Sequence, residues 1–219
     1  MKRLFLTIIL AAGICSTASA QAEWANFARY EKANSQVTER PKAVFMGDSI
    51  TDGWYRQDPD FFNANNFLGR GISGQVTSQM LVRFRRDVID HKPKYVVFLG
   101  GINDIAKNLG DISIEDTFNN IVSMAELAKA NRIKPILCLV FPTTTIGWRK
   151  EIEDPLSKVN ELNAMISEYG RTHRIPVVEY LSDIDKSSGR LPEAYSKDSI
   201  HPNLDGYKIM EQEILKYLK

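Results

Sequence analysis

Apolar residues in this chain fall into short continuous runs that are separated by longer, periodically apolar stretches. Three of the runs consist almost entirely of Val, Ile, Leu and Phe, which is typical of strands buried on both faces of a parallel sheet. The pattern predicts five strands, at residues 43–46, 66–68, 95–99, 135–141 and 176–180.

The stretches between the runs place apolar residues three and four positions apart, as one buried face of a helix requires. Met80, Phe84 and Val88 show this spacing. Helices are predicted over residues 76–90, 114–131, 156–171 and 203–218, after an N-terminal helix at about 23–39. Residues 52–65 lack the pattern, so we expect a loop there with at most a short helical turn.

Strands that alternate with helices predict βαβ units, with helices on both faces of a parallel sheet. The chain contains no internal repeat, low-complexity segment or linker rich in Pro, Gly or Ser. We therefore expect a single α/β domain over residues 21–219. In such folds ligands bind at the carboxyl ends of the strands, so the residues that follow each run are the candidates for function.

Polar and small residues follow each of the five runs. They read GDS at 47–49, GRGISGQ at 69–75, GGIND at 100–104, PTTTIGW at 142–148 and DSIHPN at 198–203. Serine, asparagine, aspartate and histidine are therefore predicted to meet at one edge of the sheet.

A nucleophilic serine needs a base within hydrogen-bond reach and a third group that orients the base. Ser49 is a candidate nucleophile, although Gly-Asp-Ser by itself is also typical of a plain turn. Among the three histidines, His91 and His173 have charged neighbours, and we expect both to be exposed. His201 follows Asp198 by three residues, close enough for the carboxylate to bond the imidazole. Alternatively, Asp198 only begins a turn before the last helix.

Attack on an ester carbonyl builds negative charge on oxygen, which fixed hydrogen-bond donors stabilise. The backbone N–H groups of Ser49 and Gly74 and the side-chain amide of Asn103 are candidates for this oxyanion hole. Glycine suits such a position because it allows the substrate to approach the backbone closely. Asp104 is predicted to brace the loop that carries Asn103.

Two other motifs fit less well. Gly69, Gly71 and Gly74 satisfy the G-x-G-x-x-G pattern of dinucleotide sites, but the acidic residues that follow, Asp87 and Asp90, precede the next strand instead of ending it. The G-x-S-x-G elbow of α/β-hydrolases also fails, since residues 47–51 lack its second glycine.

Four blocks together resemble the GDSL-like esterases and lipases, also called SGNH hydrolases. These blocks are FMGDSITDG, GISGQVT, GGIND and DSIHPN, in that order between residues 45 and 203, with Ile50 where the family name has leucine. The resemblance implies a Ser49, His201 and Asp198 triad, with Ser49, Gly74 and Asn103 as the oxyanion hole. It also implies a flavodoxin-like α/β/α sandwich of about five parallel strands. Members hydrolyse esters and thioesters through an acyl-serine, without metal or cofactor.

The first twenty residues have the layout of a secretory signal peptide. Lys2 and Arg3 precede an apolar stretch at residues 4–12, and Ala18-Ser19-Ala20 forms a cleavage site before Gln21. The stretch is shorter than the roughly 20 residues of a membrane-spanning helix. Ile14 before Cys15 argues against a lipid anchor. We therefore expect a periplasmic or extracellular protein without stable membrane insertion.

Charge and cysteine content exclude several classes of protein. The formal net charge of the whole chain is +1, so no basic excess indicates nucleic-acid binding. The basic run RFRR at 83–86 is interpreted as a solvated helix face. Cys138 is the one cysteine left after leader removal, and we expect it to be a small buried hydrophobe rather than part of a disulfide.

The motifs leave the substrate open. Trp54 and Trp148 lie near the first and fourth strand ends and are candidates for substrate binding. Export favours esters met outside the cytoplasm, so the preferred hypothesis is a short-chain O-acetylesterase acting on carbohydrates. A lysophospholipase, a lipase-like enzyme or a thioesterase is the alternative, and a non-catalytic glycan-binding module on the same fold is a third.

Overall fold

The structure, a computed structural model, describes residues 24–182 and 188–219. Within these residues five parallel strands form one sheet in the order β2-β1-β3-β4-β5. The strands are β1 Ala43–Gly47, β2 Phe67–Gly71, β3 Tyr95–Leu99, β4 Lys134–Cys138 and β5 Val177–Val178. The predicted signal peptide lies outside the described residues.

The helices cover both faces of this sheet. They are α1 Glu31–Ser35, α2 Ser49–Gln57, α3 Pro59–Ala64, α4 Thr77–Asp87, α5 Ile102–Ile105, α6 Ile114–Ala130, α7 Pro155–His173 and α8 Leu204–Leu215. Short 3₁₀ turns occur at Phe27–Tyr30 and Ile89–His91.

Alternate residues of each strand enter opposite cores, because successive side chains of a strand point to opposite faces. Val44 and Met46 of β1 belong to one apolar cluster, which includes buried side chains of α4, α6 and α7. Phe45, between them, belongs to a second cluster, which includes side chains of α2, α3 and α8. The predicted three-layer α/β/α architecture with five parallel strands is confirmed.

The expected loop at residues 52–65 is wrong, because α2 and α3 occupy most of it. Aspartate caps begin both helices: the Asp48 side chain accepts from the Ile50 N–H and the Asp58 side chain from the Phe61 N–H. Such caps satisfy N–H groups that a helix start leaves free. The apolar side chains of both helices then pack in the second core, with Trp54 and Phe62 almost fully buried.

The N-terminal helix is much shorter than predicted. A 3₁₀ turn and α1 together cover residues 27–35, and residues 36–40 are not helical. Neither element buries a residue, and a short helix without a packed face is only marginally stable. Polar contacts hold α1 instead: the Asn34 amide nitrogen donates to Asp87 at 2.7 Å, and its oxygen accepts from Arg70 at 2.8 Å.

Strand bounds also differ from the prediction. β2 continues through Gly69 and Arg70 to Gly71, paired along its length with β1, whereas the apolar pattern predicts that the strand ends at residue 68. A Cβ on Gly71 would lie 2.2 Å from the backbone nitrogen of Asp52, so glycine is what allows α2 to pack here. β4 ends at Cys138 rather than residue 141, and β5 contains two residues.

Two polar predictions have different outcomes. The basic run at 83–86 is not a uniformly solvated face, because Arg83 is fully buried and its guanidinium bonds Asp87, Gln75 and the Gly47 carbonyl. Cys138 is buried, as expected, and burial raises the pKa of its thiol to about 12. No helix in the described residues has the length and apolar character needed to span a membrane.

Candidate active site

Ser49 stands at the first position of α2, directly after β1. Its hydroxyl is half-buried, while the preceding Asp48 is completely buried and caps the helix. Within the described residues the Ser49 backbone N–H has no hydrogen-bond partner. A helix N-terminus presents free N–H groups and favours negative charge. The fold therefore places both a hydroxyl and an unpaired backbone N–H group at the carboxyl edge of β1.

His201 joins Ser49 to Asp198 in one hydrogen-bonded line. The Ser49 Oγ lies 2.8 Å from His201 Nε2, and His201 Nδ1 lies 2.6 Å from Asp198 Oδ2. The imidazole can therefore accept the serine proton on one nitrogen while the carboxylate holds the other nitrogen protonated. Residues 152 positions apart along the chain meet here.

Asp198 serves both as a turn former and as the partner of the imidazole. Its Oδ1 accepts from the N–H groups of Ile200 and His201 and from the Ser196 hydroxyl, which leaves Oδ2 for the imidazole. Partial burial disfavours the charged form. The hydrogen bonds from His201 and Ile200 outweigh that effect and lower the pKa of Asp198 to about 2. The group is a carboxylate at any ordinary pH.

Gly74 lies on the loop after β2, and Asn103 lies in α5, which follows β3, so both are at the same edge of the sheet as Ser49. Gly74 has a φ of +80°, and a Cβ built on it would meet nothing within 4 Å, so the backbone there faces open space. Its N–H has no partner among the described residues. The Asn103 side chain is almost fully buried and donates one amide hydrogen to the Gln75 carbonyl at 3.0 Å. Its second amide hydrogen remains for a ligand.

Asp104 braces the segment that carries Asn103, as predicted, although this segment is the short helix α5 and not a loop. Its carboxylate accepts from the Thr77 backbone N–H and, at 2.6 Å, from the Thr77 hydroxyl. These bonds join α5 to the start of α4. Burial raises the pKa of Asp104 to about 6 against the opposing effect of the Thr77 bonds.

The two tryptophans have different positions. Trp148 is 42% exposed, and its ring centroid lies 5.9 Å from that of His201, so it borders the site. Trp54 is 1% exposed and stacks between Phe61 and Tyr207, with its indole N–H bonded to Glu211. The prediction that Trp54 binds substrate is wrong, because α2 turns that side chain into the core.

The other histidines lie outside the site. His173 is exposed, as expected, whereas His91 is half-buried and its Nε2 lies 3.0 Å from Asn34 Oδ1. Ser196 and Asn108 are not among the predicted site residues, although they bond Asp198 and Asn103 respectively. The sequence contains one indication of both, because each lies within five residues of a motif position. In residues 24–182 and 188–219, no group of His, Cys, Asp or Glu side chains is arranged to hold a metal ion.

Comparison with known proteins agrees with this geometry. The model of the GDSL-like Lipase/Acylhydrolase family matches residues 45–209, which include every site residue named above. A crystal structure of a GDSL-like lipase from Bacteroides thetaiotaomicron is 46% identical and superposes with a TM-score of 0.85. It covers 90% of this chain and 98% of that one. The match confirms both the resemblance and the enzyme class, ester hydrolase.

Two curated proteins are also similar. An uncharacterised lipoprotein of Bacillus subtilis is 36% identical over 116 residues, which are 45% of this chain and 48% of that protein. The chain therefore spans about half the length of this relative. The isoamyl acetate-hydrolysing esterase of Saccharomyces cerevisiae is 22% identical over 205 residues, which are 81% of this chain and 86% of that protein.

Proposed function

Because the chain belongs to the GDSL-like lipase/acylhydrolase family, we propose that it is an exported serine esterase that removes short acyl groups, above all acetyl, from alcohols such as sugar hydroxyls. The observation that carries the proposal is the line of hydrogen bonds from the Ser49 hydroxyl through His201 to Asp198, together with N–H groups of Ser49 and Gly74 that have no partner among the described residues. The substrate is a small-molecule or glycan ester.

In the proposed reaction Ser49 Oγ attacks the acyl carbon while its proton passes to His201 Nε2. The carbonyl oxygen becomes negative and accepts from the N–H groups of Ser49 and Gly74 and the Asn103 amide. The carbon–oxygen bond to the alcohol then breaks, and His201 returns the proton to the leaving oxygen. Water, deprotonated by the same imidazole, releases the acid and restores Ser49.

The surroundings of Ser49 support a short acyl group. The side chains of His201 and Asp198 are 34% and 54% exposed, so the site is open to water. A long acyl chain needs apolar cover, which contributes about 0.8 kcal/mol for each buried methylene group. Trp148 offers one exposed ring beside His201, which suits stacking on a sugar. The yeast relative that hydrolyses isoamyl acetate agrees with an acetyl preference.

One observation favours a longer acyl chain, as in a lysophospholipase, a lipase-like enzyme or a thioesterase. A cavity of about 220 Å³ lies beyond the carboxyl ends of β4 and β5, on the same edge of the sheet as Ser49. Leucine, valine, phenylalanine and proline side chains dominate its lining, which includes Phe141 and Leu181. Neither Ser49 nor His201 lines it, so we rank this function second.

Hydrolysis of p-nitrophenyl acetate, octanoate and palmitate by the wild type separates these functions. We expect kcat/KM to be highest for the acetate and to fall as the chain lengthens. A maximum at octanoate or palmitate would favour the lipase-like function.

The Ser49→Ala variant provides the control for that series. It should fold like the wild type and lose turnover on all three esters. Ester turnover unchanged in Ser49→Ala would contradict the proposed nucleophile. Absence of turnover in folded wild type would favour a non-catalytic glycan-binding module.

Export is part of the proposal, and the lipoprotein relative agrees with it. Expression of the full chain in a bacterium, followed by fractionation and N-terminal sequencing, tests it. We expect a periplasmic or secreted product that begins at Gln21. A cytoplasmic product that retains residues 1–20 would contradict export.

A further inference from the structure

Asn108 connects three parts of the site that lie far apart in the sequence. Its amide nitrogen donates to the Gly74 carbonyl at 3.2 Å and to Asn103 Oδ1 at 2.9 Å. Its amide oxygen accepts from the Trp148 indole N–H at 3.1 Å. One half-buried side chain therefore contacts the loop of Gly74, the Asn103 side chain of α5 and the aromatic ring beside His201.

The chemistry of its partners decides which way the Asn108 amide points. An indole N–H only donates, so the Asn108 atom that faces Trp148 is the oxygen. A backbone carbonyl only accepts, so the atom that faces Gly74 is the nitrogen. Both partners require the same orientation, because a half-turn of the Asn108 amide would break its bonds to Trp148 and to Gly74.

The orientation of the Asn108 amide also fixes the orientation of the Asn103 amide. The Asn108 nitrogen donates to Asn103 Oδ1, and the Gln75 carbonyl accepts from Asn103 Nδ2. Only one orientation of the Asn103 amide satisfies both partners, and in this orientation its oxygen faces Asn108. The remaining hydrogen on Nδ2 is then available to a substrate oxygen. The reverse orientation would present an oxygen to the oxyanion.

The loop that carries Asn108 is itself held in place. The Arg149 guanidinium donates to the carbonyls of Ala106, at 2.9 Å, and Lys107. The Asn108 backbone N–H donates to the Asn103 carbonyl at 3.0 Å. The backbone that leads into Asn108 is therefore fixed by three hydrogen bonds, as a positioning role requires.

We infer that Asn108 is a positioning residue of the esterase site, which orients the Asn103 amide and the Gly74 peptide toward the oxyanion and holds Trp148 beside His201. The inference rests on the proposed function and adds a residue to it. Asn108 does not touch the reacting atoms. It acts through Asn103, and its loss should lower kcat with little change in KM, because oxyanion contacts form mainly in the transition state.

Two substitutions test this with different expected sizes. Asn108→Ala removes the bonds, and we expect kcat on p-nitrophenyl acetate to fall about 10-fold, within the range that misplacement of a reacting group causes. Asn108→Asp keeps the shape but places an oxygen against the Gly74 carbonyl and Asn103 Oδ1. Asn103 then turns its oxygen toward the substrate, and kcat should fall about 100-fold, close to the loss from removing an oxyanion donor.

A double-mutant cycle separates positioning from general destabilisation. If Asn108 acts through Asn103, adding Asn108→Ala to Asn103→Ala should change kcat by less than about 2-fold, since coupled residues are not additive. Asn131, which caps the far end of α6, provides the matched controls. Asn131→Ala and Asn131→Asp should leave kcat unchanged.

The rate at which a fluorophosphonate inactivates Ser49 gives a second readout that needs no choice of ester. The Ser49 Oγ forms a bond to phosphorus and fluoride leaves, through a transition state whose phosphoryl oxygen is negative and accepts from the same donors, so the rate should fall in Asn108→Ala as kcat does. Active wild type with unchanged kcat and inactivation rate in Asn108→Ala would overturn this inference and leave the proposed function standing. Full additivity with Asn103→Ala would also overturn it. A wild type that neither hydrolyses esters nor reacts at Ser49 would overturn both.

Discussion

At the scale of single residues, the site depends on carboxylates whose surroundings differ. Asp198 receives several N–H donors, which outweigh its partial burial and lower its pKa to about 2. Asp48 is enclosed, and burial raises its pKa to about 6, while its Oδ2 has no partner in the described part of the chain. Asp198 is thus suited to stabilise an imidazolium, whereas ionisation of Asp48 lowers the stability of the fold.

Replacing Asp198 tests the first of these roles. Asp198→Asn removes the charge that stabilises the imidazolium and disturbs the tautomer of His201. We expect kcat for p-nitrophenyl acetate to fall by about 10⁴, as in other serine hydrolases that lose this carboxylate. Asp205→Asn, in the exposed first turn of α8, is the control. A loss below about 10-fold would mean that Asp198 only forms the turn.

The pH dependence of stability tests Asp48. Its folded pKa lies above the unfolded value of 3.8, so its stabilising contribution is complete below pH 3.8 and is lost as the pH rises through about 6. The loss corresponds to about 3 kcal/mol at 1.36 kcal/mol per unit. Urea unfolding at several pH values should therefore show a smaller decrease from pH 4 to 7 in Asp48→Asn than in the wild type. Equal decreases would contradict the raised pKa.

The decrease of activity at acidic pH also depends on these residues. Asp198 remains ionised down to about pH 2, so it cannot cause a loss of activity at moderately acidic pH. Protonation of the His201 imidazole removes the acceptor for the serine proton. We expect kcat/KM to fall with slope one on the acid side of the profile, because a single protonation inactivates the base. A profile that stays flat to pH 4, measured where the protein remains folded, would contradict the role of His201 as base.

At the scale of elements, the position of Ser49 depends on how closely α2 approaches β2. A Cβ on Gly71 would lie 2.2 Å from the Asp52 nitrogen and 2.7 Å from the Asp48 carbonyl oxygen, and backbone atoms cannot move aside cheaply. Gly71→Ala should therefore lower the free energy of unfolding by about 1–3 kcal/mol or more, as overpacking does. It should also lower kcat, because α2 carries Ser49.

Gly147→Ala is the control for that prediction, since a Cβ there meets nothing within 4 Å. Thermal unfolding of both variants measures the difference. A melting temperature of Gly71→Ala equal to that of the wild type would mean that α2 can shift without cost.

Elements whose pattern is local were predictable, and those that depend on distant partners were not. β3 was predicted with its observed bounds, because a buried central strand is a continuous apolar run. The predicted β2 is too short at its end, because Gly69 and Gly71 are typical of a loop. Only the close approach of α2 explains why glycines occupy this strand. α2 was missed because its helix-breaking residues are compensated by the Asp48 cap and by burial of Trp54 against Tyr207 of α8.

At the scale of the whole molecule, the fold brings five motif residues to one edge of the sheet, which the order of strands and helices makes predictable. Trp54 and Asn108 were not predictable in this way. Two of the partners of Asn108 lie 34 and 40 positions away, on loops whose approach depends on the complete packing. The motifs therefore predict orienting residues that lie inside them, such as Asp198, whereas the contacts of Asn108 are visible only in the tertiary structure.

The reactivity of the Cys138 thiol measures how tightly this domain is packed. Its thiol lies at the end of β4 in the second core, with the sulfur 3.6 Å from the Tyr180 hydroxyl. In the chain that begins at Gln21 it is the single thiol. Its reaction with a thiol reagent should therefore require opening of the domain and should accelerate steeply in urea. A reducing agent should leave the melting temperature unchanged. Rapid labelling of the native protein would contradict a close-packed core.

Ser49 is proposed to form a covalent acyl intermediate with the help of His201. Acid quenching during turnover of p-nitrophenyl acetate, followed by peptide mass spectrometry, detects such an intermediate. We expect the mass of one acetyl group on the peptide that contains Ser49, and none on the same peptide of His201→Ala. Turnover without any adduct at Ser49, or an adduct on another residue that decays at the turnover rate, would contradict it.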